Sequence, residues 1–92
     1  MNKKPDNTMS AQELHVKQFK DFAVRHYEQL ISAAEQTEDA KQFAHLTKQL
    51  EKLEAGNLSI AKHLILVTAG LKIYYDEKKK QVTATHLTYT IL

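Results

Sequence analysis

Apolar positions in the first half of the chain recur at helical spacing. Val16, Phe19, Ala23, His26, Leu30 and Ala33 follow one another in steps of three and four, and Phe22, Tyr27, Ile31 and Ala34 widen the stripe. Ser10 stands just before this segment with Glu13 three positions on, the residue pair of a capping box. One amphipathic helix is therefore predicted over roughly residues 11 to 36. "QTED" then supplies a turn, and Asp39 with Gln42 repeats the cap signal. A second helix should start near Ala40 and run antiparallel to the first.

The second stripe is more regular than the first. Phe43, Leu46, Leu50, Leu53, Asn57, Ile60, Leu64, Val67, Leu71 and Tyr74 keep the three-four alternation without a lapse. The phase passes through Gly56 and Asn57, where a helix break would ordinarily scramble it. The spacing thus predicts one long helix to about Lys79, giving an all-α antiparallel hairpin. The alternative is that Gly56 ends the second helix in a left-handed cap and Ser59 caps a third, giving a three-helix bundle. Glycine within a helix costs only about 1 kcal/mol, too little to choose between them.

A continuous second helix of roughly 40 residues would be about 60 Å long, against about 39 Å for the first at 1.5 Å per residue. Its distal end would then lack an internal partner, although Leu58, Ala61, Ile65, Leu66, Ala69, Ile73 and Tyr75 make it apolar nearly all round. Leaving such side chains in water forfeits about 1.5–3 kcal/mol each. Leu58, Ile60, Leu64, Val67, Leu71, Tyr74 and Tyr75 are accordingly the expected partner-binding residues. Asn57, a lone polar residue in the seam, is the expected register-setting position, as in coiled coils.

Beyond Gln81 the pattern divides. Thr83 could cap a short helix carrying His86, Leu87, Tyr89 and Ile91; Leu87, Tyr89 and Ile91 also alternate with threonine as in an edge strand, and disorder is the third reading. The organisation expected is a polar tail over 1–10, a helical domain over 11–80 and a C-terminal segment over 81–92.

Composition narrows the function classes. A chain of 92 residues is a single domain of modest core, and it has no cysteine to staple it, which suits a reducing cytoplasm. The first ten residues are polar and are followed by no apolar signal region. The longest apolar run, Leu64 to Val67, falls far short of the roughly 20 residues a membrane span needs. Net charge is +2, and the local excess of lysine at Lys78 to Lys80 reads as a helix terminus rather than a nucleic-acid surface. The five histidines include no i, i+4 pair and no HExxH or calcium-loop pattern, so neither a metal nor another cofactor is expected. No glycine-rich loop or nucleophile motif accompanies them, and no catalytic residue is expected. The function expected is protein binding.

The run "DAKQFAHLTKQLEKLE", Asp39 to Glu54, resembles the start of the second helix in YscE-type co-chaperones of bacterial type III secretion. The resemblance rests on Asp39, Gln42, Phe43, Leu50 and Glu51, with the aliphatic Ile60 to Leu71 segment beyond, and covers about a third of the chain. It implies a cytoplasmic helical hairpin that pairs with a second helical chaperone to hold a needle subunit unpolymerised. Two functions follow as expectations. One is an adaptor or chaperone subunit bound to a helical partner or to itself; the other is a self-contained helical inhibitor of the bacteriocin-immunity kind.

Overall fold

The two helices begin where their caps stand. In the computed structural model, which describes residues 10–87, α1 spans Ala11–Gln36 and α2 spans Ala40–Glu54. Ser10 Oγ accepts from the Glu13 N–H at 3.1 Å while Glu13 Oε1 accepts from the Ser10 N–H at 3.0 Å, closing the capping box. Asp39 Oδ1 accepts from the Gln42 N–H at 3.1 Å and starts α2.

Each helix ends in the same device. After α1 the Asp39 N–H donates to Ala34 O and the Glu38 N–H to Glu35 O; after α2 the Asn57 N–H donates to Lys52 O and the Gly56 N–H to Leu53 O. These are Schellman motifs, with Glu38 at φ 58° and Gly56 at φ 109° in the left-handed position. Gly56 has open space where a Cβ would stand, so its role is backbone freedom rather than close approach.

Past Gly56 the chain leaves the helical register. A 3-10 turn over Leu58–Ala61 leads into three strands: β1 (Ile65–Thr68), β2 (Leu71–Asp76) and β3 (Gln81–His86). They form an antiparallel sheet in the order β1-β2-β3, with Leu66 opposite Ile73 and Ile73 opposite Ala84. The fold is α+β, a helix pair with a three-stranded meander, and both the all-α hairpin with a long second helix and the three-helix bundle are overturned. The coiled-coil seam through Asn57 falls with them. Asn57 is an exposed residue that follows α2 and precedes the 3-10 turn, its Oδ1 accepting from Ser59 Oγ at 2.6 Å. It sits on no helix whose register it could set. The C-terminal segment is strand over Gln81–His86, and Thr83 lies within it rather than capping a helix; the readings placed on Tyr89 and Ile91, and the tail over 1–9, lie outside the described residues.

The physical reason is residue type. Between Leu64 and Tyr75 the β-branched and aromatic side chains Ile65, Val67, Thr68, Ile73, Tyr74 and Tyr75 favour extended backbone, and Leu64/Leu66 with Leu71/Ile73/Tyr75 alternate with a period of two. The turn between them is tight. Ala69 at φ 49° and Gly70 at φ 77° link Thr68 to Leu71 as a two-residue hairpin with both central residues left-handed, the type I′ geometry. Alanine pays a steric penalty there that asparagine or glycine avoids. Ala69→Asn is therefore expected to add about 0.5–1 kcal/mol of stability, read as an upward shift of about 2–8 °C in a thermal melt.

The lysine run is also a turn. Asp76 Oδ1 accepts from the Lys78 and Lys79 N–H groups at 2.9 and 3.3 Å, and Lys80 adopts φ 55° before β3 begins. Lys78 to Lys80 thus cap no helix; they form the tip of the β2–β3 hairpin.

One core joins the layers. Phe19, Ala23, Tyr27 and Ala34 of α1 meet Leu46 and Leu53 of α2, Ala61, and Ile73 and Val82 of the sheet. The buried stripe of α1 is rotated from the expected one, since Leu30 is exposed while Tyr27 is buried. Tyr27 ties the layers: its hydroxyl donates to Ile60 O at 3.3 Å, and its ring meets His63 edge-on at 6.4 Å. At the other end of α1, Gln12 Nε2 donates to Val82 O at 2.8 Å and holds the helix to β3.

Among the described residues, two groups titrate later than is ordinary for their type. Burial raises the Tyr27 hydroxyl above its ordinary value, and the Lys62 ammonium is raised by its 2.6 Å bond to Glu77 Oε2. Both folded-state values lie above the unfolded ones, so their contribution is intact below about pH 10 and is lost as pH rises through the raised values. Alkaline unfolding is expected to begin near pH 10, and Tyr27→Phe is expected to shallow that limb in a pH series of melts.

Candidate functional site: the outer face of the sheet

Strand periodicity separates two rows of side chains. Leu66, Leu71, Ile73, Tyr75, Val82 and Ala84 belong to the core or pack against it, so the helices lie on that side. Ile65 and Val67 of β1, Lys72, Tyr74 and Asp76 of β2, and Thr83 and Thr85 of β3 alternate with them and form the outer face. Ile65 stands opposite Tyr74, and Tyr74 opposite Thr83; Val67 stands opposite Lys72, and Lys72 opposite Thr85.

Ile65 and Val67 are 53% and 58% exposed, the most exposed large apolar residues among those described. They sit side by side on an edge strand, which natural sheets ordinarily protect with charge, proline or a covering element. Tyr74 is half-buried beside them, with Lys72 Nζ 5.7 Å from its ring centroid. The face is thus apolar at β1, aromatic and charged along β2, and hydroxylated along β3.

The expected partner-binding residues do not share one surface. Val67 and Tyr74 lie on the outer face, while Leu58, Ile60, Leu64, Leu71 and Tyr75 are half-buried against the protein's own core. Much of the apolar surplus is therefore covered internally. Ile65, expected only to flank the seam, is a main member of the face; the uninterrupted apolar run Leu64 to Val67 gives no alternation that assigns it to one side.

Thr83 carries the one buried side-chain polar atom without a hydrogen-bond partner among the described residues, its Oγ1. A buried hydroxyl left unpaired costs about 1–3 kcal/mol, whereas valine keeps the shape without it. Thr83→Val is expected to raise stability by about 1 kcal/mol, measured by urea denaturation.

Other surfaces offer less. A hollow of about 330 Å³ at the α1–α2 turn is lined by Ala34, Glu35, Glu38, Asp39, Ala40 and Phe43, but it is an open surface depression rather than an enclosed pocket. Among the described residues no three histidine, cysteine, aspartate or glutamate side chains group as a metal site requires, and no helix is long and apolar enough to cross a membrane. Comparison with protein-family models, with curated proteins and with solved structures gave no match to this chain.

Proposed function

We propose that the chain is a small protein-docking module, an adaptor or chaperone subunit in the reducing cytoplasm, whose recognition surface is the outer face of the sheet. The observation that carries this reading is the pair Ile65 and Val67, more than half exposed and neighbours on the outer face of β1, which pairs with β2 alone among the described residues. Burying them stabilises a complex by removing apolar surface from water, and the chain's own helices lie on the opposite side of the sheet. Tyr74 supplies the amphipathic anchor common at interfaces, and Lys72 and Asp76 supply a charged rim. The resemblance to type III secretion co-chaperones rests on Asp39 to Glu54, which is α2, and on Ile60 to Leu71, which forms a 3-10 turn and strands instead of the rest of a long helix; the partner-holding role is proposed from the sheet face alone.

A photo-crosslinking residue at position 67, in cells that produce the protein, tests this. Adducts are expected from position 67 and not from position 32 on the exposed side of α1, and Ile65→Asp should abolish them. Equal adducts from both positions, or none from 67, would overturn the reading.

A further inference from the structure

We infer that the occupant of this face is a second copy of the same chain, packed face to face about a two-fold axis that crosses the strands near Tyr74; this rests on the outer face being the docking surface. The charges along β2 lead to that arrangement. Lys72, Tyr74 and Asp76 form one row, with opposite charges two residues either side of the tyrosine. A two-fold axis perpendicular to the strands reverses the row, so Lys72 of each copy faces Asp76 of the other and the tyrosines meet at the centre. It also lays β1 on β1, bringing Ile65 against its counterpart. The alternative axis, parallel to the strands, sets lysine against lysine and β1 against the threonine row of β3. The pattern is self-complementary in the first arrangement only, the property an isologous interface requires.

Asp76 can serve both partners. Its Oδ1 is taken by the Lys78 and Lys79 N–H groups, while Oδ2 accepts no hydrogen bond from the described residues. Lys72 is already held over the outer face by the Tyr74 ring. The sheet is small, about 14 Å wide and about 20 Å long at ordinary strand spacing and rise. The interface therefore falls below about 1,200 Å² in total, in the class of weak and reversible pairs, with a dissociation constant on the order of 10–100 μM.

Sedimentation equilibrium of the full chain from about 1 μM to about 1 mM, bracketing that range, tests the inference. A reversible monomer–dimer is expected. Lys72→Glu and Asp76→Lys should each weaken it about tenfold or more by setting like charges across the axis, and an equimolar mixture of the two variants should regain dimer, because every charged pair in the mixed species is again opposite. A wild-type chain monomeric throughout, or a mixture no stronger than its components, would overturn it. Asp76 also holds the hairpin tip; if Asp76→Lys does not fold, Lys72→Glu and Ile65→Asp decide the matter, and wild-type dimerisation by either would overturn the inference. The adduct from position 67 separates the two readings: one with a different protein, from a monomeric chain, leaves the docking surface standing without the second copy, whereas the lack of any adduct removes both.

Discussion

Phe19→Ala is expected to cost about 3–5 kcal/mol, a large share of the roughly 5–15 kcal/mol that keeps a domain folded. Phe19 is wholly buried in the one core cluster, on the helix that touches both α2 and the sheet. Truncation removes the ring from its apolar surroundings and leaves a void that neighbours on three elements cannot collapse into together. Phe43 serves as the control, since it is 38% exposed and Phe43→Ala should cost less than about 1 kcal/mol. Urea denaturation of the two variants measures the difference. Similar losses at both positions would place α1 and α2 differently from the packing described.

The second large effect is expected at the centre of the sheet. Ile73 is fully buried on the middle strand, with Leu66 and Ala84 beside it on the two neighbouring strands. Ile73→Ala should cost about 2–5 kcal/mol, because the side chain lies between the sheet and the helices rather than at an edge. Tyr74→Ala, one residue along, faces outward and should cost about 1 kcal/mol or less in the monomer. The contrast between neighbours carries the argument. Equal costs at 73 and 74 would remove the two-faced strand on which the proposed docking surface depends.

The helical half of the chain was legible because its signals are local. Ser10 with Glu13 and Asp39 with Gln42 mark helix starts by hydrogen bonds that span three residues, and both bonds form. Gly56 also carries its ordinary meaning as a left-handed cap, obscured in the sequence by the three-four spacing that runs on through Asn57. That continuity was a coincidence of two periods. Leu64, Val67, Leu71 and Tyr74 fit a helical seam, yet Leu64/Leu66 and Leu71/Ile73/Tyr75 fit strands equally well, and the β-branched content between them was the better guide. The hairpin went unread because Ala69-Gly70 lacks the asparagine or aspartate that usually announces a type I′ turn, and Lys78 to Lys80 suggested a helix end more readily than a hairpin tip. Val67 and Tyr74, expected from the sequence to bind a partner along a helical seam, share the outer face of the sheet instead. Their common face is set by strand register, which depends on the Ala69-Gly70 turn.

The central claim is that the run from Leu64 to Tyr75 has one face turned to the protein's own core and another turned away from it. Leu66 and Val67 are adjacent, half-buried on the inner side and 58% exposed on the outer side respectively. Thermal melting of Leu66→Asp and Val67→Asp, at concentrations of about 1 μM where a weak dimer is dissociated, tests the claim directly. The account predicts that Leu66→Asp lowers the melting temperature by about 10 °C or more or prevents folding, because an unpaired charge enters the core, while Val67→Asp melts within a few degrees of the wild type. Equal losses at the two positions, or a greater loss at Val67, would contradict it.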